Sequence, residues 1–112
     1  MRYNKFHVAK KIERTIDGIV FASKAEAIRY RELKLLECAG KIKDLHLQPR
    51  FLLIPKTKTQ SACYYVADFQ YIQNKKIIVE DVKGFVTAVY KLKKKLFLYL
   101  YGEQYTFFEN KV

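Results

Sequence analysis

The 112-residue sequence has only two cysteines, and neither has a partner close by in the chain. Cys38 and Cys63 form no CxxC pair, and with His46 they supply no local ligand pair of the kind from which zinc sites are built. Both are read as reduced, mostly buried thiols. No apolar run approaches the ~20 residues that a membrane-spanning helix needs. The basic start, Met1 to His7, is followed by no apolar core, so no signal peptide is expected and the protein is read as intracellular. Internal repeats, low-complexity tracts and linkers are also missing, which leaves a single domain over residues 1–112. Acid is scarce: 11 Asp+Glu stand against 22 Lys+Arg, for a net charge of +11.

What is present is apolar enough to fold. Half of the residues are hydrophobic and 15% are aromatic, which excludes a disordered chain despite the charge. An excess of positive charge this large implies a polyanionic partner, and nucleic acid fits it better than an anionic membrane, since no helix has a clean basic/apolar split. Between Leu45 and Gly102 ten basic residues are accompanied by three acids, Asp68, Glu80 and Asp81. Each carboxylate on a DNA-binding surface weakens it, so acids kept amid that charge need a reason. A divalent cation is a good one.

Residues 1–10 are basic and aromatic and read as an arm, with Tyr3 and Phe6 placed to grip DNA or a second copy. Ile12 to Phe21 holds two short apolar pieces around Asp17-Gly18, a hairpin turn signal. Ser23-Lys-Ala-Glu26 reads as a capping box opening a helix to about Cys38, with Gly40 as its C′ residue. Its apolar stripe is Ala25, Ile28, Leu35, Leu36 and Ala39, with Leu33 at one margin, interrupted by Arg29 and Glu32. Lys43 to Ile54 reads as one strand with Pro49 at a bend or edge, Tyr64 to Gln73 as a second, and Lys76 to Lys83 as a third after an Asn74-Lys75 turn. From Thr87 the period becomes helical, with Val89, Leu92, Leu96 and Tyr99/Leu100 on one face and Gly102 at the end. Tyr105 to Glu109 is a last strand.

In the third strand Asp81 and Lys83 point the same way. A turn at Asn74-Lys75 pairs residues whose numbers sum to about 149, which sets Asp68 opposite Asp81. Two opposed carboxylates repel each other unless a cation lies between them, and hard oxygen ligands suit Mg²⁺. Lys83, one step along the same face, can position a water and balance charge on a phosphate. The plainer alternative is a cross-strand salt-bridge cluster.

Asp68 followed by Asp81-Val82-Lys83 resembles the signature of the PD-(D/E)xK nuclease superfamily. Phe21-Ala-Ser-Lys-Ala-Glu26-Ala-Ile-Arg-Tyr30, Leu47-Gln48-Pro49 and Glu80-Asp-Val-Lys-Gly84 resemble small phage-encoded proteins of that superfamily, over roughly residues 3–103. The resemblance implies an α/β (α+β) fold with a restriction-endonuclease-like αβββαβ core, a mixed sheet flanked by helices, here preceded by the hairpin. It also implies that Asp68, Asp81 and the Val82 carbonyl hold Mg²⁺, with Mn²⁺ as a substitute, and that Lys83 acts on the attacking water. Glu26 matches a glutamate that several members bring from the first helix to the metal, a role that competes with capping. Two departures stand out. Ala67 replaces the proline of the signature, and Glu80 is an extra acid that faces away in a regular strand and either pairs with a lysine there or reaches the metal through a bulge.

Lys91, Lys93, Lys94 and Lys95 on the second helix, Lys10 and Lys11 at the arm, and Gln48 are the candidate nucleic-acid contacts. The expectation is a metal-dependent DNA endonuclease in phage DNA processing or recombination, with Holliday-junction resolution favoured. Symmetric cutting of two strands implies a homodimer. A non-catalytic nucleic-acid-binding protein and a host-directed interaction module are the alternatives on the same fold.

Overall fold

The structure is a computed structural model describing residues 10–112, so Tyr3, Phe6 and His7 of the expected arm lie outside the described residues. A short 3₁₀ turn, Lys11–Arg14, leads into a hairpin of β1 (Thr15–Ile16) and β2 (Ile19–Val20). Asp17 and Gly18 both take left-handed φ, 53° and 75°, as a two-residue primed turn requires. Helix α1 (Lys24–Cys38) follows. The Ser23 side chain accepts from the Glu26 N–H at its start. At its end Gly40 (φ 74°) and Lys41 return their N–H groups to Glu37 and Leu36, closing a Schellman motif.

The two long strands expected between the helices are each broken, giving β3 (Lys43–Leu47), β4 (Arg50–Ile54), β5 (Cys63–Val66) and β6 (Phe69–Gln73). The cause is local and shared. Gln48 takes φ 50° ahead of Pro49, and the adjoining strand breaks at Ala67-Asp68. The two breaks brace each other: Gln48 N–H donates to the Asp68 carbonyl (2.9 Å) and Ala67 N–H to the Pro49 carbonyl (3.1 Å). A bend in one strand therefore forces its neighbour to bend with it.

The chain turns at Asn74-Lys75 into β7 (Lys76–Lys83), crosses through α2 (Ala88–Tyr101) and ends in β8 (Thr106–Lys111). The main sheet has the order β3-β6-β7-β8, antiparallel except for the parallel β7–β8 pair, and β4-β5 forms a separate ribbon. The fold is thus a mixed α/β (α+β) arrangement. Asn74 and Lys75 both take left-handed φ, and the register beyond them runs Gln73↔Lys76 to Phe69↔Glu80, each pair summing to 149 as expected.

Strand alternation divides the interior in two. Phe69, Tyr71 and Val82 pack against α1 through Ala27, Tyr30 and Leu33, while Val79 packs with Phe51, Leu53, Tyr65, Tyr90 and Phe97 between α2 and the ribbon. Both helices are rotated from the face that their most apolar stripe suggests, so that Ala25 and Leu36 of α1 and Leu96 of α2 still pack against the cores while other stripe residues face outward. On α1 the buried positions are Glu26, Ala27, Tyr30 and Leu33, and Ile28 and Leu35 are exposed. On α2 they are Tyr90 and Phe97, whereas Val89, Leu92 and Tyr99 face outward. Cys38 is exposed and Cys63 half-buried, against the expectation of two mostly buried thiols.

Candidate active site

The site is assembled where β6 leaves the sheet. Asp68 stands at the break between β5 and β6, one residue past the last register pair, and its backbone N–H still donates to the Glu80 carbonyl (3.1 Å). One Asp68 carboxyl oxygen accepts the Val82 N–H at 2.7 Å. Asp81 lies across from it on β7, buried, with the Tyr65 hydroxyl donating to Oδ2 and the Lys83 ammonium 3.2 Å from Oδ1. Asp68, Asp81 and Lys83 therefore come together as the strand alternation requires.

Glu26 joins them from the first turn of α1. Its carboxyl interacts with that of Asp68 and also takes a 3.3 Å hydrogen bond from the Ser23 hydroxyl. The cap and the site thus share this side chain. Burial and then the Glu26 carboxyl push Asp68 up to about 6. Burial likewise pushes Asp81 up to about 6, with Asp68 adding to the shift while the Tyr65 hydroxyl and Lys83 oppose it. Among the described residues no group of three or more Asp, Glu, His or Cys side chains has its ligand atoms already gathered around one point. The two facing carboxyls nevertheless suit a hard cation. Each is raised by desolvation and by a neighbouring carboxyl, Glu26 for Asp68 and Asp68 for Asp81, and a positive charge between them relieves both causes.

Glu80 is elsewhere. It is fully buried on the opposite face of β7, and the ladder to β6 carries no bulge that would swing it round. Its oxygens accept from Arg29 Nε (2.6 Å) and Nη2 (3.0 Å), the Tyr71 hydroxyl (2.6 Å) and Asn110 Nδ2 (3.1 Å). Its partner on that face is an arginine, not a lysine, and no acceptor capacity is left over for the site.

Gln48 does reach the site. With Glu26 and Asp68 it lines a cavity of about 170 Å³ closed by Ile19, Val20, Phe21 and Leu47. The lysines divide. Lys91, Lys95, Lys10 and Lys11 are exposed, Lys93 is half-buried, and Lys94 is turned inward to Glu109 at 3.1 Å. Lys94 is thus already engaged by an ion pair within the fold.

Sequence reasoning missed the aromatic frame of the site. Tyr65 orients Asp81 from the ribbon. Tyr90 of α2 lies beneath Lys83, whose ammonium is 4.3 Å from the ring centroid, and donates its hydroxyl to Glu109 at 2.7 Å. Burial pushes both phenols upward, so they remain donors. The only available signal was the alternation of β5, which sends Tyr65 to the side of Val79 and Asp81.

Neither comparison with curated proteins nor comparison with solved structures finds a match. A family model does match, over residues 3–111, and by it the chain belongs to the family described as protein of unknown function DUF1064.

Proposed function

We propose that this protein is a metal-dependent DNA endonuclease of the PD-(D/E)xK type, acting in phage DNA processing or recombination in the cytoplasm of a bacterial host. One observation carries the reading: the Asp68 and Asp81 carboxyls adjoin across two strands, with the Lys83 ammonium 3.2 Å from Asp81. The closeness of the two carboxyls, their burial and the surrounding excess of cations all favour a divalent ion with a polyanionic substrate.

In this reading Asp68, Asp81 and the Val82 carbonyl would hold Mg²⁺ or Mn²⁺, with Glu26 in support. When bound, the cation would supply Lewis-acid polarisation of the scissile phosphate. Lys83 orients the attacking water and offsets charge gathering on the phosphate oxygens. Tyr90 keeps the Lys83 chain from swinging away, since an ammonium over a ring face is attracted to it. Tyr65 fixes the Asp81 rotamer. Gln48, Lys91, Lys93, Lys95, Lys10 and Lys11 contact the nucleic acid, with Lys94 beside them on α2. Branched DNA is the favoured substrate, and paired cuts would be made by a homodimer, each copy supplying one site.

A second reading, a nucleic-acid-binding protein without catalysis, draws on Asp81 itself: Tyr65 and Lys83 already occupy both of its oxygens. The two are separated with linear, flap and four-way DNAs in Mg²⁺ or Mn²⁺. The wild type is expected to cut at least one of them and Asp81→Asn to lose roughly 10² or more of that rate, a typical size for a lost charge-stabilising group. Binding in EDTA should remain. Equal behaviour of the two proteins on every substrate overturns the nuclease reading and leaves the second.

A further inference from the structure

The β4-β5 ribbon springs from the two braced breaks at Gln48-Pro49 and Ala67-Asp68 and lays one face on α2. Among the described residues its other face is partly exposed and belongs to neither core cluster. Arg50, Leu52 and Ile54 of β4 and Tyr64 and Val66 of β5 alternate away from the buried Phe51, Leu53 and Tyr65, and the register joins Arg50 to Val66 and Leu52 to Tyr64. Diagonally across this face the Arg50 guanidinium lies 3.7 Å from the Tyr64 ring centroid, a stacking separation. Leu52, Ile54 and Val66 are each 39–49% exposed beside it.

The charge of the segment is one-sided. From Leu45 to Ala67 the sequence has no acid, and Arg50, Lys56 and Lys58 are its cations. None of the three forms an ion pair among the described residues, whereas Arg29, Lys34, Lys83, Lys94 and Lys111 all do. An exposed guanidinium held flat by an aromatic ring, apolar strips on either side and uncompensated cations at the tip together make a stacking platform with an electrostatic guide. A duplex hides its base faces, but a single strand offers them. The platform also lies close to the chemistry, since Val66 stands two residues before Asp68 in the chain.

We infer that the outer face of the β4-β5 ribbon binds single-stranded DNA, stacking a base on the Arg50–Tyr64 pair. The substrate class that follows is DNA carrying an unpaired segment next to the cut, as in a flap, a fork or an open junction, and this last step rests on the nuclease reading above. A base laid on the free side of the guanidinium extends the existing stack, while Leu52, Ile54 and Val66 receive sugar and base edges. Lys56 and Lys58 at the tip meet the phosphates.

The test is fluorescence anisotropy in EDTA with labelled oligothymidylate, the same length of blunt duplex, and oligouridylate. Binding does not require cleavage, so an inactive enzyme leaves this result readable and an unaltered affinity leaves the nuclease reading standing. Arg50→Ala and Tyr64→Leu are each expected to weaken oligothymidylate binding by roughly 5- to 100-fold, the range of one lost stacking contact. Duplex affinity and melting temperature should stay as in the wild type, because both side chains are outside the core. Tyr64→Phe should bind like the wild type. Unchanged single-strand affinity in folded Arg50→Ala and Tyr64→Leu overturns the inference. So does tighter binding of oligouridylate, or a wild-type dimer that these substitutions abolish without altering DNA affinity, which would make the face a contact between copies.

Discussion

Glu80 and Asp81 are neighbours in the chain, and β7 sends them to opposite faces with opposite surroundings. Glu80 receives four hydrogen bonds, two of them from the Arg29 guanidinium, which it holds further above its ordinary range. Burying a charge is tolerable only when it is paired. Arg29→Met leaves Glu80 buried and unpaired, and should cost about 3–5 kcal/mol in urea unfolding. A loss below 1 kcal/mol would mean that water reaches Glu80 and that the pair is not a closed structural unit. Asp81 and Asp68 are under-compensated instead, and both titrate near 6. Their folded values lie above the unfolded carboxylate range, so the folded state binds the extra protons. Their contribution to stability is complete below about pH 4 and is lost as pH rises through 6. Glu37 and Glu109 are shifted downward and act only below their ordinary range. Without metal, the melting temperature should therefore fall between pH 5 and 7.5, and Asp68→Asn should flatten that fall. Mg²⁺ at pH 7.5 should restore stability if it binds between the two acids. A melting temperature that rises across this interval without metal would refute the assignment.

At the scale of elements, caps and turns were legible because their chemistry is local. Ser23 and Thr87 act through hydroxyls on backbone N–H groups three residues on, and Asp17-Gly18, Asn74-Lys75 and Gly40 through their own backbone, so the residue names alone place them. The register of β6 and β7 followed from the turn, and with it the approach of Asp68 to Asp81. Breaks in long strands were not legible, because each depends on a neighbour: Gln48 bends its strand against the Asp68 carbonyl, a contact between positions twenty residues apart. The inward faces of the helices were legible only in part, for a similar reason. On α2 the apolar stripe and the core face differ, since Tyr90 and Phe97 fit the aromatic layer of Phe51, Tyr65 and Phe107 while Leu92 is 60% exposed. The Arg29 that spoiled the stripe of α1 is likewise explained only by Glu80, 51 positions away. These assignments predict unequal mutants. Phe97→Ala should cost about 3–5 kcal/mol as a cavity in the aromatic layer, and Leu92→Gln should fall within about 0.5 kcal/mol of the wild type. Comparable losses in chemical denaturation would return Leu92 to the core.

At the scale of the whole molecule, shape and charge bear on the same partner. The protein is a slab of 46 × 40 × 23 Å with a radius of gyration of 15.7 Å, larger than the ~13 Å of a compact domain of this length. A flattened body offers broad faces, and a net charge of +11 has to be distributed over them. No helix among the described residues is long and apolar enough to cross a membrane. Where the charge acts is decided by which cations are already engaged. Lys94 is committed to Glu109, so replacing it removes an internal contact along with its charge. Lys91 and Lys95 form no ion pair among the described residues and project from α2 on the side away from Phe97. If that side meets the phosphate backbone, each contact releases counterions and adds about 0.9 to the slope of log affinity against log salt concentration. The double change Lys91→Ser with Lys95→Ser should then lower the slope on duplex DNA by about 2 and weaken binding uniformly across sequences. Lys94→Met should leave the slope nearly unchanged while lowering the melting temperature. The reverse pattern, a slope that responds to Lys94 and ignores the exposed pair, would place the DNA on another face of the slab. In that case the ribbon and the β6 break would have to orient the duplex without α2.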